Sequence, residues 1–533
     1  MKKIILFLTI FSLVFISCAK RGMISGGPKD TIAPVIVKSS PKNYETHFSG
    51  KTIKIDFSEY IKVKEINKQL IVSPPMAKTP TIVPQGSASK FISITLNEDL
   101  KPNTTYSFNF GQSITDYNEG NPYSQFKYVF STGAFVDSLK VSGEISDAFE
   151  KETDEFVTVM LYDAETYNDS LVYKNKPVYI TNTLEKNTKF AIENIKKGNY
   201  YLVALKDKNN NYNYQAKSEK IAFKKEKIKI PSDSSYILKL FAEKNEIKTY
   251  SPTVESNNKL FMGYEGNARN VKLFYKKNNT ETPLRFAKSA NRKSDTLQVF
   301  IPKEAKDSIQ ILVKSENYLK NYVVKLKKLK EADSLKVSLF ANKKFQFNEK
   351  LSLETSTPIK KINSEKIFLR KKDSTLVSFT TEINDFEQLI SFDFKQEENE
   401  KYELELLPGA IEDEYDTKSD SLKFTFDKGA LSDFGNLKLR LKNNNRFPFV
   451  VQILNTVGDI VGEKYCTKET EMYFEAIQPS NYQVRLFYDD NQNKIWDSGN
   501  FKAKLQPEEM IYFPGLIDLR ANWDVDQELE LKL

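Results

Sequence analysis

Apolar residues recur at every second position over short stretches of this chain, and turn-forming residues close each stretch. Ile53, Ile55 and Phe57 alternate with Lys54 and Asp56, and Tyr106, Phe108 and Phe110 alternate with Ser107 and Asn109. A period of two sends successive side chains to opposite faces of a strand, so each stretch hides one face and wets the other. Turn signals return about every 8–12 residues, which is the spacing of β-sandwiches and not the 3.6-residue period of helical bundles. The content of 37 Phe and 27 Tyr against only 7 Met fits the same reading, because aromatic side chains pack well on pleated surfaces. The expected fold class is all-β, a series of tandem sandwiches. With 533 residues, one domain is too few.

The N-terminus has another grammar. Lys2 and Lys3 precede an apolar run from Ile4 to Ile16 that stops at Ser17-Cys18. A span needs about twenty apolar residues, and this run of about thirteen has instead the length of a signal-peptide core. Ala19 to Ala33, with Gly22, Gly26, Gly27 and Pro28, reads as a tether. As a flexible coil it would cover about 20 Å, and fully extended at most about 50 Å. Phe15-Ile16-Ser17-Cys18 resembles the lipobox of bacterial lipoproteins, in which the cysteine thiol is acylated and becomes the new N-terminus. The resemblance implies lipidation of Cys18 and a membrane partner reached through that anchor.

The chain has two cysteines, so with Cys18 acylated Cys466 has no partner and no disulfide framework exists. Cys466 lies in an alternating stretch and is expected to be a small core side chain. A net charge of +8 is small against 79 basic and 71 acidic residues, interleaved as on a solvated surface. Nucleic acid is excluded as a partner by the export signal. His47 is the single histidine, which excludes multi-histidine metal sites. No Gly-x-Ser-x-Gly elbow, His-Glu-x-x-His or dinucleotide fingerprint occurs, and the chain is expected not to be an enzyme.

Pro34, Ile53 to Glu59, Ile71-Val72-Ser73-Pro74, Leu100 to Tyr106 and Tyr128 to Thr132 together resemble the bacterial Ig-like domain family, over residues 31 to 133. Gly198 to Leu205 followed by Asp207-Lys208-Asn209-Asn210-Asn211 resembles the prealbumin-like sandwiches of envelope proteins. Both patterns return. Tyr200 stands seven residues before Asp207, as Tyr482 does before Asp489, and Tyr106 and Tyr402 each stand 27 before a glycine, Gly133 and Gly429. The expected organisation is a signal peptide (1–17), a tether (18–33), an Ig-like domain (34–134), a prealbumin-like sandwich (135–243), a sandwich of no recognised family (244–331), and repeats of the Ig-like (332–430) and prealbumin-like (431–533) units. Tandem sandwiches bury little against one another, so bending is expected near Gly133 and Gly429.

Two Asp/Asn clusters are the candidate sites, since closely spaced oxygens on a turn are what calcium requires. Asp207, Asn209 and Asn211 match positions one, three and five of a calcium loop, as do Asp489, Asn491 and Asn493. Tyr212 and Lys494 stand in place of the glycine at position six, and Ser218 and Asn500 in place of the glutamate at twelve. Asn and Asp also dominate turns for conformational reasons, so these are expected to be turn residues first, with calcium as the alternative and no cofactor otherwise. Trp496 and Trp523, with Tyr512-Phe513-Pro514, are expected in the core of the last sandwich, the other reading being a sugar platform.

Gly26 to Asp30 near the start, with Trp496-Asp497 and Arg520 to Trp523 near the end, resembles a group of outer-membrane lipoproteins of the Bacteroidota. That resemblance implies a lipid-anchored, non-catalytic scaffold or accessory subunit riding on an outer-membrane β-barrel, in barrel assembly, protein secretion or nutrient import. A glycan-binding surface lipoprotein or adhesin is the alternative.

Overall fold

The computed structural model describes residues 30–531, except 185, 245, 278–279, 290–294, 317, 328–333 and 341–349. Cys18 and most of the tether therefore lie outside the described residues. Strands dominate, and helix among the described residues is confined to single turns such as Ile66–Gln69 and Leu171–Lys174. No helix among them is long and apolar enough to cross a membrane.

The first sandwich faces one sheet, ordered Ile36–Ser40, Thr52–Val63, Ser89–Thr95, Thr81–Val83, against a second, ordered Ile71–Ser73, Thr105–Asn109, Lys127–Ser131. Ile53, Ile55, Ile92 and Ile94 from the first meet Phe108, Tyr128 and Phe130 from the second, all fully buried. The alternation read from the sequence is thus the alternation of core and solvent. A fourth sandwich repeats this order with Val337–Leu339, Leu351–Thr355, Leu389–Asp393, Thr380–Asn384 against Ile367–Lys371, Lys401–Leu406, Leu422–Asp427. Tyr106 lies directly across from Phe130, and Tyr402 from Phe426. The two ring pairs stack at 5.4 Å each, tilted by 19° and 18°. In both copies the tyrosine hydroxyl accepts a backbone N–H five residues upstream, from Lys101 at 2.9 Å and Glu397 at 2.7 Å. Ile114 and Ile411 are both fully buried.

The second and fifth sandwiches form another matched pair. Tyr179–Asn182, Thr158–Asp163, Gly198–Leu205, Ile221–Phe223 correspond to Ile460–Cys466, Phe449–Leu454, Ser480–Tyr488, Met510–Tyr512. In each, the opposing sheet sets the unit's first strand parallel to its last: Leu139–Asp147 beside Ser235–Leu240, and Gly435–Lys442 beside Asp524–Glu530. The Tyr200 and Tyr482 hydroxyls donate to the carbonyls of Lys196 (2.9 Å) and Gln478 (2.5 Å), each four residues back. Between these pairs lies a sandwich built on Lys259–Glu265 and Ser308–Ser315, with Leu260, Leu297, Ile309 and Ile311 in its core. Cys466 is buried in the core of the last sandwich. Burial pushes its thiol up to about 11, so a maleimide at pH 7 is expected to leave it unmodified in the folded protein and to label it after denaturation, which mass spectrometry reads out.

The sandwiches are not beads on a string. Beyond Gly133, Asp137 accepts the Thr105 hydroxyl and donates its N–H back to the same oxygen, both at 2.9 Å, so the first joint is tied where bending was expected. Tyr415 of the fourth sandwich reaches the third, its single hydroxyl hydrogen shared between the carbonyls of Asn258 and Ile301, each 2.9 Å away. The fifth folds back onto the second.

Candidate functional site: two acidic turns and the seam between them

Each Asp/Asn cluster begins where a central strand, Gly198–Leu205 or Ser480–Tyr488, runs out of its sheet. Asp207 accepts the N–H groups of Asn209 (3.1 Å), Asn211 (3.3 Å) and Tyr212 (2.7 Å). Asp489 accepts those of Asn493 (3.0 Å) and Lys494 (2.8 Å). The backbone is left-handed at Asn210 and Tyr212 (φ 53° and 60°) and at Gln492 and Lys494 (φ 61° and 62°). The sixth position therefore adopts the conformation that glycine usually supplies, and Tyr212 and Lys494 carry the associated strain. Asn211, Asn491 and Asn493 spend their amide oxygens on the N–H groups of Asn213, Asn493 and Ile495.

A glutamate completes each turn, and sequence reading missed both. Glu219 follows the tested twelfth position by one residue and accepts the N–H groups of Lys208 (3.0 Å) and Gln215 (2.9 Å). Glu508 accepts those of Asp490 and Asp497, both at 2.9 Å. These are the same places in the two turns, one and eight residues after the leading aspartate. Burial pushes the Glu508 carboxyl above the usual range, aided by the charges of Asp497 and Asp489 and opposed by its two N–H donors. Asp207, Glu219, Asp489 and Glu508 are all buried. Each leading aspartate thus spends its carboxylate on backbone N–H groups of its own turn, the ordinary work of a turn residue. Among the described residues no three His, Cys, Asp or Glu side chains gather around a metal-sized centre. Adding EDTA is expected to move the melting temperature by less than about 2 °C, whereas a calcium-dependent rise of ten degrees or so would restore the calcium loop.

The spacing from aspartate to glutamate is 12 residues in the first turn (219 − 207) and 19 in the second (508 − 489). The seven additional residues form a finger that reaches the second sandwich. Phe501 at its tip is fully buried among Tyr173, Tyr214, Phe223 and Phe241. Its ring meets those of Phe223 edge-on at 5.2 Å and Tyr173 at 6.0 Å. Glu243 joins both turns, accepting the Tyr214 hydroxyl (3.1 Å) and the Phe501 N–H (2.6 Å). Lys504 lies over the Phe501 ring at 4.0 Å and pairs with Asp169 at 2.5 Å. A Cβ at Gly499 would stand 2.7 Å from the Phe241 ring, so this approach requires glycine. Beside the finger, Lys244 pairs with Asp497, whose carboxyl burial would raise but which Lys244, Asn491 and Asn493 hold below the usual range.

The predicted aromatic group divides. Trp496 leaves the core of its own sandwich for the seam, packing its ring at a tilt of 52° on Phe149 at 4.8 Å and donating its indole N–H to the Glu508 carbonyl at 2.9 Å. Tyr512 also faces the seam and donates to the Phe149 carbonyl at 2.9 Å. Phe513 is buried in the core, whereas Trp523 is 52 % exposed with Arg520 over its ring. The expectation of one buried cluster therefore fails for both tryptophans.

The duplicated strand order and the paired tyrosines are now joined by an independent finding. Residues 30–132 match the bacterial Ig-like domain family. No curated protein matches the sequence. Among solved structures, the chain is similar to the major pilin subunit of Bacillus cereus (10% identity, TM-score 0.14, 73% of this chain and 98% of that one). It is also similar to domains 1–6 of a surface layer protein (10%, 0.15, 91% and 67%) and to the BSP domain of a biofilm associated protein (8%, 0.16, 77% and 99%).

Proposed function

We propose that this chain is a non-catalytic envelope lipoprotein, held on the outer membrane by acyl chains on Cys18, that serves as a scaffold or accessory subunit of an outer-membrane β-barrel complex. The observation that carries the reading is the seam: the buried carboxylates and aromatics brought together there close turns and lock two sandwiches, which is work suited to a rigid body. The lipobox resemblance at Phe15 to Cys18 and the likeness to Bacteroidota lipoproteins support the anchor and the kind of partner. The complex would act in barrel assembly, protein secretion or nutrient import. Mild detergent extraction and affinity purification of the tagged chain should recover a barrel protein in stoichiometric amount. Recovery of the chain alone, together with saturable binding on a glycan array, would replace this reading with that of a glycan-binding adhesin. Cys18→Ser is expected to abolish incorporation of labelled palmitate and release the protein from the membrane fraction; a labelled, membrane-bound variant would remove the anchor from the proposal.

A further inference from the structure

The first sandwich turns its two sheets to different surroundings. Its second sheet, Ile71–Ser73 with Thr105–Asn109 and Lys127–Ser131, takes the contacts with the rest of the molecule. The Ser73 hydroxyl oxygen accepts the Ile180 N–H at 3.1 Å, and Lys127 pairs with Glu193 at 2.6 Å. The first sheet points the other way, and on its outer face large apolar side chains stand among Lys54, Ser58, Ser93 and Thr95. Each of its four adjacent strands exposes one large apolar side chain: Val37 (66 %), Tyr60 (57 %), Phe91 (39 %) and Val83 (46 %). Strand spacing of about 4.8 Å makes this face about 15 Å wide. Lys54 stands over the Phe91 ring at 4.6 Å and Lys90 over the Tyr60 ring at 5.3 Å. The carboxylate nearest Lys54, Asp56, is paired with it at 2.9 Å.

The chain enters the described structure at the rim of this face. Asn121 donates to the carbonyls of Asp30 (2.9 Å) and Ile32 (3.4 Å), which fixes the entry point against the loop that carries Tyr117. Tyr117 in turn donates its N–H to the Tyr60 carbonyl at 2.9 Å and is 52 % exposed. Eleven residues, 19–29, separate Cys18 from Asp30. Eleven residues can bridge at most about 40 Å whatever their conformation.

We propose that this outer face rests on the lipid headgroup layer, so that the protein sits against the bilayer by its first sandwich instead of swinging free on its tether. The inference depends on the Cys18 anchor. Tyrosine and phenylalanine with lysines at their rims suit the interface, where the ring enters the headgroup region and the ammonium meets lipid phosphate. The anchor supplies proximity at high effective concentration, so the face need not bind membranes strongly unaided.

The test uses the full acylated chain in vesicles of phosphatidylcholine and phosphatidylglycerol. An environment-sensitive dye is attached in turn to Val37→Cys, Phe91→Cys and, as a control on the last sandwich, Tyr473→Cys; buried Cys466 and acylated Cys18 do not compete for it. The dyes at 37 and 91 should shift to the blue and be quenched several-fold more than that at 473 by lipids carrying a nitroxide near the headgroup. Tyr60→Ser should weaken the quenching at 37 while acylation stays complete. Equal quenching at all three positions in acylated, vesicle-bound protein would overturn the proposal and leave the anchor intact. A blue shift without vesicles that grows with protein concentration would assign the face to a second copy of the chain, again overturning it. Absence of acyl mass on Cys18 together with absence of vesicle binding would overturn the anchor and this inference with it.

Discussion

Phe501→Ala should destabilise two sandwiches at once, although the residue belongs to only one of them. The ring is fully buried against Tyr173, Tyr214 and Phe223, all from the second sandwich. Truncating a buried phenylalanine costs about 3–5 kcal/mol, and the finger is too short to collapse into the space left behind. Hydrogen exchange should therefore accelerate in residues 207–223 as well as in 489–508, and proteases should cut the finger first. Lys504→Ala should act in the same direction but more weakly, by about 1 kcal/mol, because its pair with Asp169 is partly exposed. Acceleration confined to residues 489–508 would mean that the seam contributes little to the second sandwich, and the picture of a locked pair would fall.

How much of this was legible beforehand depends on whether the information is local. The strand set was readable because alternation is a local property: Ile53, Ile55 and Phe57 face the core for the reason that their neighbours cannot. The repeats were readable because Tyr106 and Tyr402, or Asp207 and Asp489, occupy equivalent registers, and register preserves spacing. The acidic turns were half readable. The aspartates announce themselves in a run of Asn and Asp, but Glu219 lies one residue beyond the frame tested for calcium, and Glu508 is displaced by the seven-residue finger. Comparing the two turns for an acid after differing loop lengths would have found both. The seam was not readable at all. A phenylalanine at 501 looks like any core residue of its own sandwich, and nothing in a single sequence states that Phe223 and Phe241, more than 250 residues earlier, are its neighbours.

The first and fourth sandwiches supply the contrasting case. Phe130 is fully buried and Phe426 nearly so, each stacked on the tyrosine of its own sandwich at 5.4 Å and surrounded by residues of that sandwich. Phe130→Ala should cost about 3–5 kcal/mol within the first sandwich and Phe426→Ala the same within the fourth, with little effect at a distance. Exchange rates in residues 30–132 should rise for the first variant while those in 351–427 stay unchanged, and the reverse should hold for the second. The reason for the difference from Phe501 is geometric: the stacked pairs point into closed cores, whereas the finger points out of one core into another. Equal acceleration of the first and fourth sandwiches by either variant would show that the chain unfolds as one cooperative body. In that event the seam would be one contact among many instead of the element that couples the second sandwich to the fifth.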